Sequence, residues 1–259
     1  MNSRVYSRIH ERIRRKSISA FDFHQSTKVI TRSVSSSSEA PPLSWTRVQY
    51  KEYPRFRFVK LPEVNLTKLS VPLGNLMESR RSRKTSNASP FTLDELGTLL
   101  GAGCGITERQ TLQDAKRSYP SAGARYPIET YLLSVDSERK GRIVYHYNIA
   151  KHGLEVLGSV LGNEDLRDGF TEDWMLECPL LIALSAVFLR SYGKYGNLAY
   201  QFALIEAGHV GQNLCLVSEA CGYAITPSRA FVDDIINKIL GLDGNYEACL
   251  YMFGLSHLR

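Results

Sequence analysis

The stretch from Leu198 to Ala220 constrains this fold more than any other part of the chain. It runs without a proline, and Phe202, Ile205, Val210, Leu214 and Val217 recur along it at helical spacing. At 1.5 Å per residue such a helix is about 35 Å long, the width of a small domain. A helix of that length needs a surface to lie on, and the segments around it read mostly as strands. Leu180 to Phe188 is an apolar run of strand length. Ile128 to Val135 and Ile143 to Ile149 read as two strands joined by a charged turn that contains Gly141. Tyr223 to Ile225 is a short segment leading into a loop, Val232 to Leu240 a helix, and Leu250 to Phe253 a last strand. Upstream, Thr92 and Glu95 fit a capping box before Leu96, Leu99 and Leu100, and Gly101, Gly103 and Gly105 end that helix. Strands and helices mixed in this order favour α+β or α/β over either pure class.

At 259 residues the chain can bury a core without disulfide staples. The expected division is a basic arm over residues 1–45 and a main domain over 46–259, with residues 46–75 irregular around Pro54, Pro62 and Pro72. Residues 34–42, rich in serine and ending in two prolines, read as a flexible loop. Cys104, Cys178, Cys215, Cys221 and Cys249 lie in or beside apolar segments, without a Cys-x-x-Cys pair. They read as reduced core residues rather than a disulfide or metal framework, so no metal is expected. Cys178 to Leu189 is too short to cross a bilayer, and no apolar stretch near the start resembles a secretory signal. The expectation is a cytoplasmic protein with no membrane partner. The net charge of +6 is concentrated at the start, where Arg4, Arg8, Arg12, Arg14, Arg15 and Lys16 face Glu11 alone. Val5, Ile9 and Ile13 fall on the same period, giving a short basic amphipathic helix. A solvated face, an acidic partner and a transit peptide all fit it. No nucleic-acid motif accompanies it.

Three separated segments carry chemistry. Glu78-Ser-Arg-Arg-Ser-Arg-Lys84 packs four cations and two hydroxyls into seven residues. Arginine offers a planar fork of donors and serine a compact one, a natural phosphate cradle, although a solvated basic loop would look the same. Tyr119-Pro-Ser-Ala-Gly-Ala-Arg-Tyr-Pro-Ile-Glu129 sets small residues between two prolines, which lets backbone approach a flat ligand closely; a turn before a strand is the alternative. Lys194-Tyr195 precedes the long helix, on which Glu206, His209 and Asn213 fall at one-face spacing. Polar groups on a mostly apolar helix need partners, from a ligand, a subunit or the core itself.

In combination and in this order, these segments resemble the SagB/McbC-type dehydrogenases, flavoenzymes of thiazole- and oxazole-containing peptide biosynthesis. The resemblance rests on Arg80-Arg-Ser-Arg83, Pro120-Ser-Ala-Gly-Ala-Arg-Tyr-Pro-Ile-Glu129, Val144-Tyr-His-Tyr147 and Glu206-Ala-Gly-His-Val-Gly-Gln-Asn213, with a looser match at Phe23-His-Gln-Ser-Thr-Lys28. It covers roughly residues 75–255.

The resemblance implies an α+β, nitroreductase-like three-layer fold, with a central mixed or antiparallel sheet and helices around the long central one. It implies a homodimer with flavin mononucleotide (FMN) at the subunit interface. Arg80, Ser82 and Lys84 match the element that holds the FMN phosphate and ribityl chain, with Arg81 inside it. Pro120, Ser121, Ala122 and Gly123 match the loop that reaches the flavin from the other subunit, and Glu206 a polar helix position beside the ring. Pro227, Ser228, Arg229 and Ala230 match the loop before a Phe-x-Asp element lying against the ring; Arg229 stands where relatives carry an acidic or small residue. Arg259 is a further phosphate candidate. Lys194-Tyr195 matches the catalytic pair of azoline oxidases, but its surroundings, Tyr195-Gly-Asn-Leu-Ala-Tyr-Gln201, lack the arginines of the usual Tyr-x-Arg-Gly-Tyr-Arg.

The implied activity is oxidation of peptide thiazolines or oxazolines to thiazoles or oxazoles, with cyclodehydratase subunits as partners and an azoline-containing precursor peptide as substrate. Hydride passes to the flavin while Lys194, its pKa lowered by burial, takes the proton beside the carbonyl. Two other readings fit the same motifs: a general nitroreductase or NAD(P)H-dependent flavin reductase, and a non-catalytic FMN-containing scaffold. The chain carries no glycine-rich dinucleotide fingerprint.

Overall fold

A computed structural model describes residues 22–23, 27–28, 47–85, 87–108, 111–136 and 141–258. The basic arm, the serine-rich loop, Arg259 and most of the Phe23–Lys28 element lie outside these described residues.

Seven strands form one antiparallel sheet in the order β1-β6-β5-β4-β7-β9-β8. They are β1 (Arg57–Lys60), β4 (Ile128–Asp136), β5 (Gly141–Asn148), β6 (Gly153–Leu161), β7 (Leu180–Val187), β8 (Tyr223–Ser228) and β9 (Glu247–His257). A two-stranded ribbon, β2 (Ile106–Glu108) with β3 (Lys116–Arg117), stands apart. The helices are α1 (Leu73–Ser79), α2 (Leu93–Cys104), α3 (Asn163–Arg167), α4 (Trp174–Glu177), α5 (Leu189–Tyr195), α6 (Leu198–Cys221) and α7 (Asp233–Leu240).

Side chains alternate across the strands, so each face of the sheet gets its own core. Leu180, Ile182 and Leu184 of β7 join Leu99 and Leu100 of α2 and Val210 and Leu214 of α6. Leu181 and Ala183 join Leu166, Met175, Ile236 and Leu240 of α3, α4 and α7 on the other face. A strand buried on both sides has no polar alternation, which is why residues 180–186 read as a continuous apolar run. The result is the expected three-layer α+β arrangement, with a wholly antiparallel sheet among the described strands.

The Thr92 capping box forms as expected. Thr92 Oγ1 accepts from the Glu95 amide at 3.3 Å, and Glu95 Oε2 accepts from the Thr92 amide at 2.8 Å. Such caps stabilise a helix by about 1 kcal/mol. The helix passes through Gly101 and Gly103 before stopping at Gly105.

Three expectations need correction. The buried stripe of α6 is made of Ala199, Ala203, Ala207, Val210, Gly211, Leu214 and Cys215, while Ile205 is 56% exposed and Phe202 and Val217 are half-buried. Small residues let the helix lie close to the sheet: a Cβ on Gly211 would sit 2.9 Å from the Phe253 ring. Residues 46–75 are not wholly irregular, since they hold β1, a 3₁₀ turn (Leu66–Leu69) and the start of α1. The last strand runs from Glu247 to His257, because β9 is sandwiched between β7 and β8 along its length.

Candidate active site in two halves

The first half gathers around the loop after β3. Gly123 has φ +59°, and Ala124 and Tyr126 are also left-handed, at +51° and +48°. A cluster of such conformations in non-glycine residues is strained backbone, which marks functional loops more often than structural ones. The loop is tied down by its own atoms. Tyr126 N–H donates to Ser121 Oγ at 2.8 Å, and Arg125 Nε–H to the Gly123 carbonyl at 2.8 Å.

Lys194 and Tyr195, at the end of α5, meet this loop. A Cβ on Gly123 would meet Tyr195 Oη and Lys194 Nζ, so glycine, which its left-handed φ also favours, lets the pair sit directly against the loop. Lys194 Nζ stands 5.2 Å from the centre of the Tyr195 ring. Tyr195 is half-buried and packs edge-on against Phe202. Lys194 is exposed, contrary to the expectation of a buried amine, because α5 lies at the surface of the protomer.

Glu206 also belongs to this half. It is 2% exposed, and among the described residues neither carboxylate oxygen has a hydrogen bond of good geometry, although the Ser121 hydroxyl and the Ile128 amide act on it from nearby. Burial pushes its pKa up to about 7, against the pull of the Ser121 hydroxyl, Arg117, the Ile128 amide and Arg190. Its expected companions divide. Asn213 donates to the carbonyls of Gly103 and Ser118 at 3.2 and 3.0 Å, whereas His209 is exposed. At 100° per residue, positions 206 and 213 align and 209 falls to the side.

Beneath this half runs a buried chain of charges that sequence reasoning did not single out. Arg190 of α5 donates to the Tyr126 carbonyl at 3.0 Å and lies 2.5 Å from Glu129 Oε1. Glu129 Oε2 lies 2.9 Å from His146 Nε2, and His146 Nδ1 lies 2.8 Å from Glu155. Burial works against charge here, but Arg190 and His146 hold the Glu129 carboxyl down to about 2. The two carboxylates raise the His146 pKa despite its burial. The signal was available: Glu129 and His146 end and interrupt apolar strands in segments already noted for their chemistry.

The second half gathers at the other end of α6. Arg83 pairs with Glu219, its amide donates to the Ile225 carbonyl at 3.2 Å, and Thr226 Oγ1–H donates to the Arg83 carbonyl at 3.0 Å. Arg83 is thereby spent on structure, and Lys84 sits 4.4 Å over the Trp174 ring and 3.5 Å from Glu172. Arg81 binds the carbonyls of Glu78 and Arg80. Arg80, half-buried, has no ion pair among the described residues, and Ser82 is exposed. Alongside lie Pro227 and Ser228, which end β8 rather than form a loop, because they pair with Phe253 and Met252. Ser228 Oγ then accepts from the Ala230 amide at 3.0 Å and closes the turn into Phe231-Val232-Asp233. Arg229 is exposed, lies 4.2 Å over the Phe231 ring and pairs with Asp233 at 2.6 Å.

The Lys194-Tyr195 pair and the Arg80–Lys84 segment are far apart in one protomer, whereas Arg229 shares a cleft with Phe188, Tyr192 and Tyr200 of the first half. Lys194-Tyr195 precedes Leu198 and Arg83 grips Glu219, a separation of about 30 Å along the helix axis. An open cleft of about 710 Å³ adjoins the first half, lined by Phe188, Tyr192, Tyr200, Arg229, Asp233 and Tyr246. Phe23 packs edge-on against Tyr200, placing that element beside the start of α6.

All five cysteines are free thiols, and no group of ligand type could hold a metal among the described residues. No described helix is long and apolar enough to cross a membrane.

Residues 77–257 match the model of the nitroreductase family. Among curated proteins, the chain is 29% identical over 183 residues to a protein described as a nitroreductase, MJ1384 of Methanocaldococcus jannaschii, covering 70% of this chain and 88% of that one. It is 30% identical over 141 residues to the microcin B17-processing protein McbC of Escherichia coli, covering 49% of each. It is 24% identical over 174 residues to the trifolitoxin-processing protein TfxB of Rhizobium leguminosarum, covering 63% of this chain and 46% of that one. The chain thus spans about half the length of the two peptide-processing relatives. The fold is shared with a chain of the Escherichia coli microcin synthetase McbBCD complex, at TM-score 0.61 and 19% identity over 93% of this chain and 92% of that one. The chain therefore belongs to the nitroreductase family, as a member of the SagB/McbC type.

Proposed function

We propose that this protein is an FMN-dependent dehydrogenase that oxidises azoline rings in a ribosomally made peptide to azoles. Family membership supports an oxidoreductase, and the peptide-processing relatives support a role in modified-peptide biosynthesis. The observation that carries the finer reading is the meeting of Lys194 and Tyr195 with the Gly123 loop. A lysine, a tyrosine and a backbone stripped of Cβ then converge where a flat ring can lie.

The residues present fit FMN. Arg80 and Ser82 offer donors to a phosphate, and Gly123 offers close backbone approach. When bound, FMN supplies a two-electron acceptor. The separation of Arg80–Lys84 from Lys194-Tyr195 supports a homodimer, in which Arg80, Ser82 and Lys84 of one copy face Pro120–Gly123, Lys194, Tyr195 and Glu206 of the other, and Pro227–Ala230 complete the flavin site. The exposed Leu204 and Ile205 of α6 are the surface such a dimer would cover. Covering α5 would also take water away from Lys194. Lys194 then takes the proton beside the azoline carbonyl, with Tyr195 sharing it. The aromatic cleft beside α5 would hold the peptide. Cyclodehydratase subunits are the expected partners, since the McbBCD complex is described with truncated pro-MccB17 bound.

The test begins with the visible spectrum of the purified protein, which should be that of a flavoprotein. A cyclised precursor peptide should then lose the mass of two hydrogens per ring. Lys194→Ala should keep FMN and lose azole formation; unchanged turnover would refute its role. A second reading, a general nitroreductase or flavin reductase, is favoured by the match across most of MJ1384. Rapid bleaching of the flavin by NAD(P)H, without peptide, would support it.

A further inference from the structure

Glu206 is built unlike an ordinary buried acid. Both its oxygens are shut from solvent, and among the described residues neither has a hydrogen bond of good geometry, with the Ser121 hydroxyl and the Ile128 amide close by. Arg117 of β3, which acts on it through space, is 6% exposed, with Nε and Nη2 also lacking hydrogen-bond partners among the described residues. Only Arg117 Nη1 is used, donating to Tyr119 Oη at 2.8 Å and to the Ile128 carbonyl at 3.1 Å. In front, Ser121 Oγ already accepts from Tyr126 N–H, so its own hydrogen is left to give. The charged and titratable groups acting on Glu206 are Arg117, Arg190 and Tyr119, and Glu129 acts on the same Arg117.

An ionised carboxylate without good hydrogen bonds is costly in a dry interior, and a protonated one far less so. Two arginines pull the other way. The group is therefore balanced near neutrality, and whatever covers the Ser121 loop tips the balance. We propose that Glu206 is the proton store of the cofactor site, a positioning residue that takes up one proton when a ring covers the Pro120–Gly123 loop and releases it through the Ser121 hydroxyl when the site empties. This rests on the reading that the loop receives FMN.

The sign follows from linkage. A ring over the loop displaces the water beyond Ser121 and lowers the polarity around the already buried carboxyl, which raises the affinity of Glu206 for its proton, so binding is favoured by protonation. FMN affinity is then flat below the free-state titration and falls as pH rises through it. Glu206→Gln mimics the neutral acid and removes this dependence.

The experiment measures FMN dissociation from the full-length protein between about pH 6 and pH 8.5, a range that brackets neutrality. Wild type should weaken by about tenfold or more across it, and Glu206→Gln should bind FMN at the upper end about tenfold more tightly than wild type. The phosphate of FMN titrates identically with both proteins. The FMN-free protein should also show a protonated-carboxyl infrared band that titrates near neutrality and is missing in Glu206→Gln. Ser121→Ala, which removes a donor, should move that titration upward. Parallel pH profiles for wild type and Glu206→Gln would overturn the proposal, as would a carboxyl that stays ionised through neutrality. Failure of FMN to bind any of the proteins would overturn the FMN reading instead, and the infrared titration would still decide the state of Glu206.

Discussion

Replacing Glu129 with glutamine removes a negative charge shared by two buried guanidinium groups and a hydrogen-bonded imidazole. His146 hydrogen-bonds one oxygen, Arg190 pairs with the other, and Arg117 acts at longer range. Glutamine keeps the shape and can still bond His146, so the loss is electrostatic. Removing one partner of a buried ion pair costs about 3–5 kcal/mol. Glu155 still faces His146 from the other side, which puts the expected loss at the low end, about 3 kcal/mol. In a chain of this size each 1 kcal/mol moves Tm by about 2–4 °C, so the expected drop is about 6–12 °C. Because Arg190 begins α5, the loss should also loosen Lys194 and Tyr195 and lower turnover. The pH dependence has a definite sign. The folded-state pKa of Glu129 is depressed from 4.5 to about 2, so its contribution is fully present above the ordinary carboxylate range and lost as pH falls through that window. Calorimetry should therefore show the gap between wild type and Glu129→Gln closing as pH falls from 6 towards 3. A Tm shift below about 2 °C at neutral pH, or a gap that widens on acidification, would refute the reasoning.

Arg80→Ala should weaken FMN binding by about tenfold, the loss of one charge-assisted contact, without changing Tm; equal retention of flavin on gel filtration would remove Arg80 from the phosphate site. Ile205→Asp, on the exposed face of α6, should give a monomer that loses FMN, as read by light scattering and absorbance together. Gly123→Ala puts a methyl group against Tyr195 Oη and Lys194 Nζ in a left-handed position. It should cost about 1–2 kcal/mol of stability and most of the turnover while leaving some FMN bound; wild-type activity would show that the pair does not work against the loop.

Much of the scaffold was legible because its signals are local. The Thr92–Glu95 box, the long α6 and the apolar β7 each follow from neighbours in sequence. The misses came where burial is decided by distant residues. β6 escaped notice because Glu155, a charged residue, is buried in it to meet His146 and Asn148. Ile205 looked like a core residue of α6, but the sheet selects the side lined by alanines and glycine because those allow the closest approach.

The site divides in the same way. The sequence by itself determined which groups are available: the cations and hydroxyls at Arg80–Lys84, the small residues at Pro120–Gly123, the Lys194-Tyr195 pair and a carboxyl at Glu206. Residue type and spacing carry that information, and the family likeness rests on it. Only the tertiary structure decided which groups stand together. It set Gly123 against Tyr195, left Arg80 open while committing Arg83 to Glu219, and buried Glu206 away from solvent. It also put Lys194-Tyr195 and Arg83 at opposite ends of α6. Proximity and dehydration arise from chain segments that meet only when the sheet closes, and they convert an inventory of side chains into chemistry.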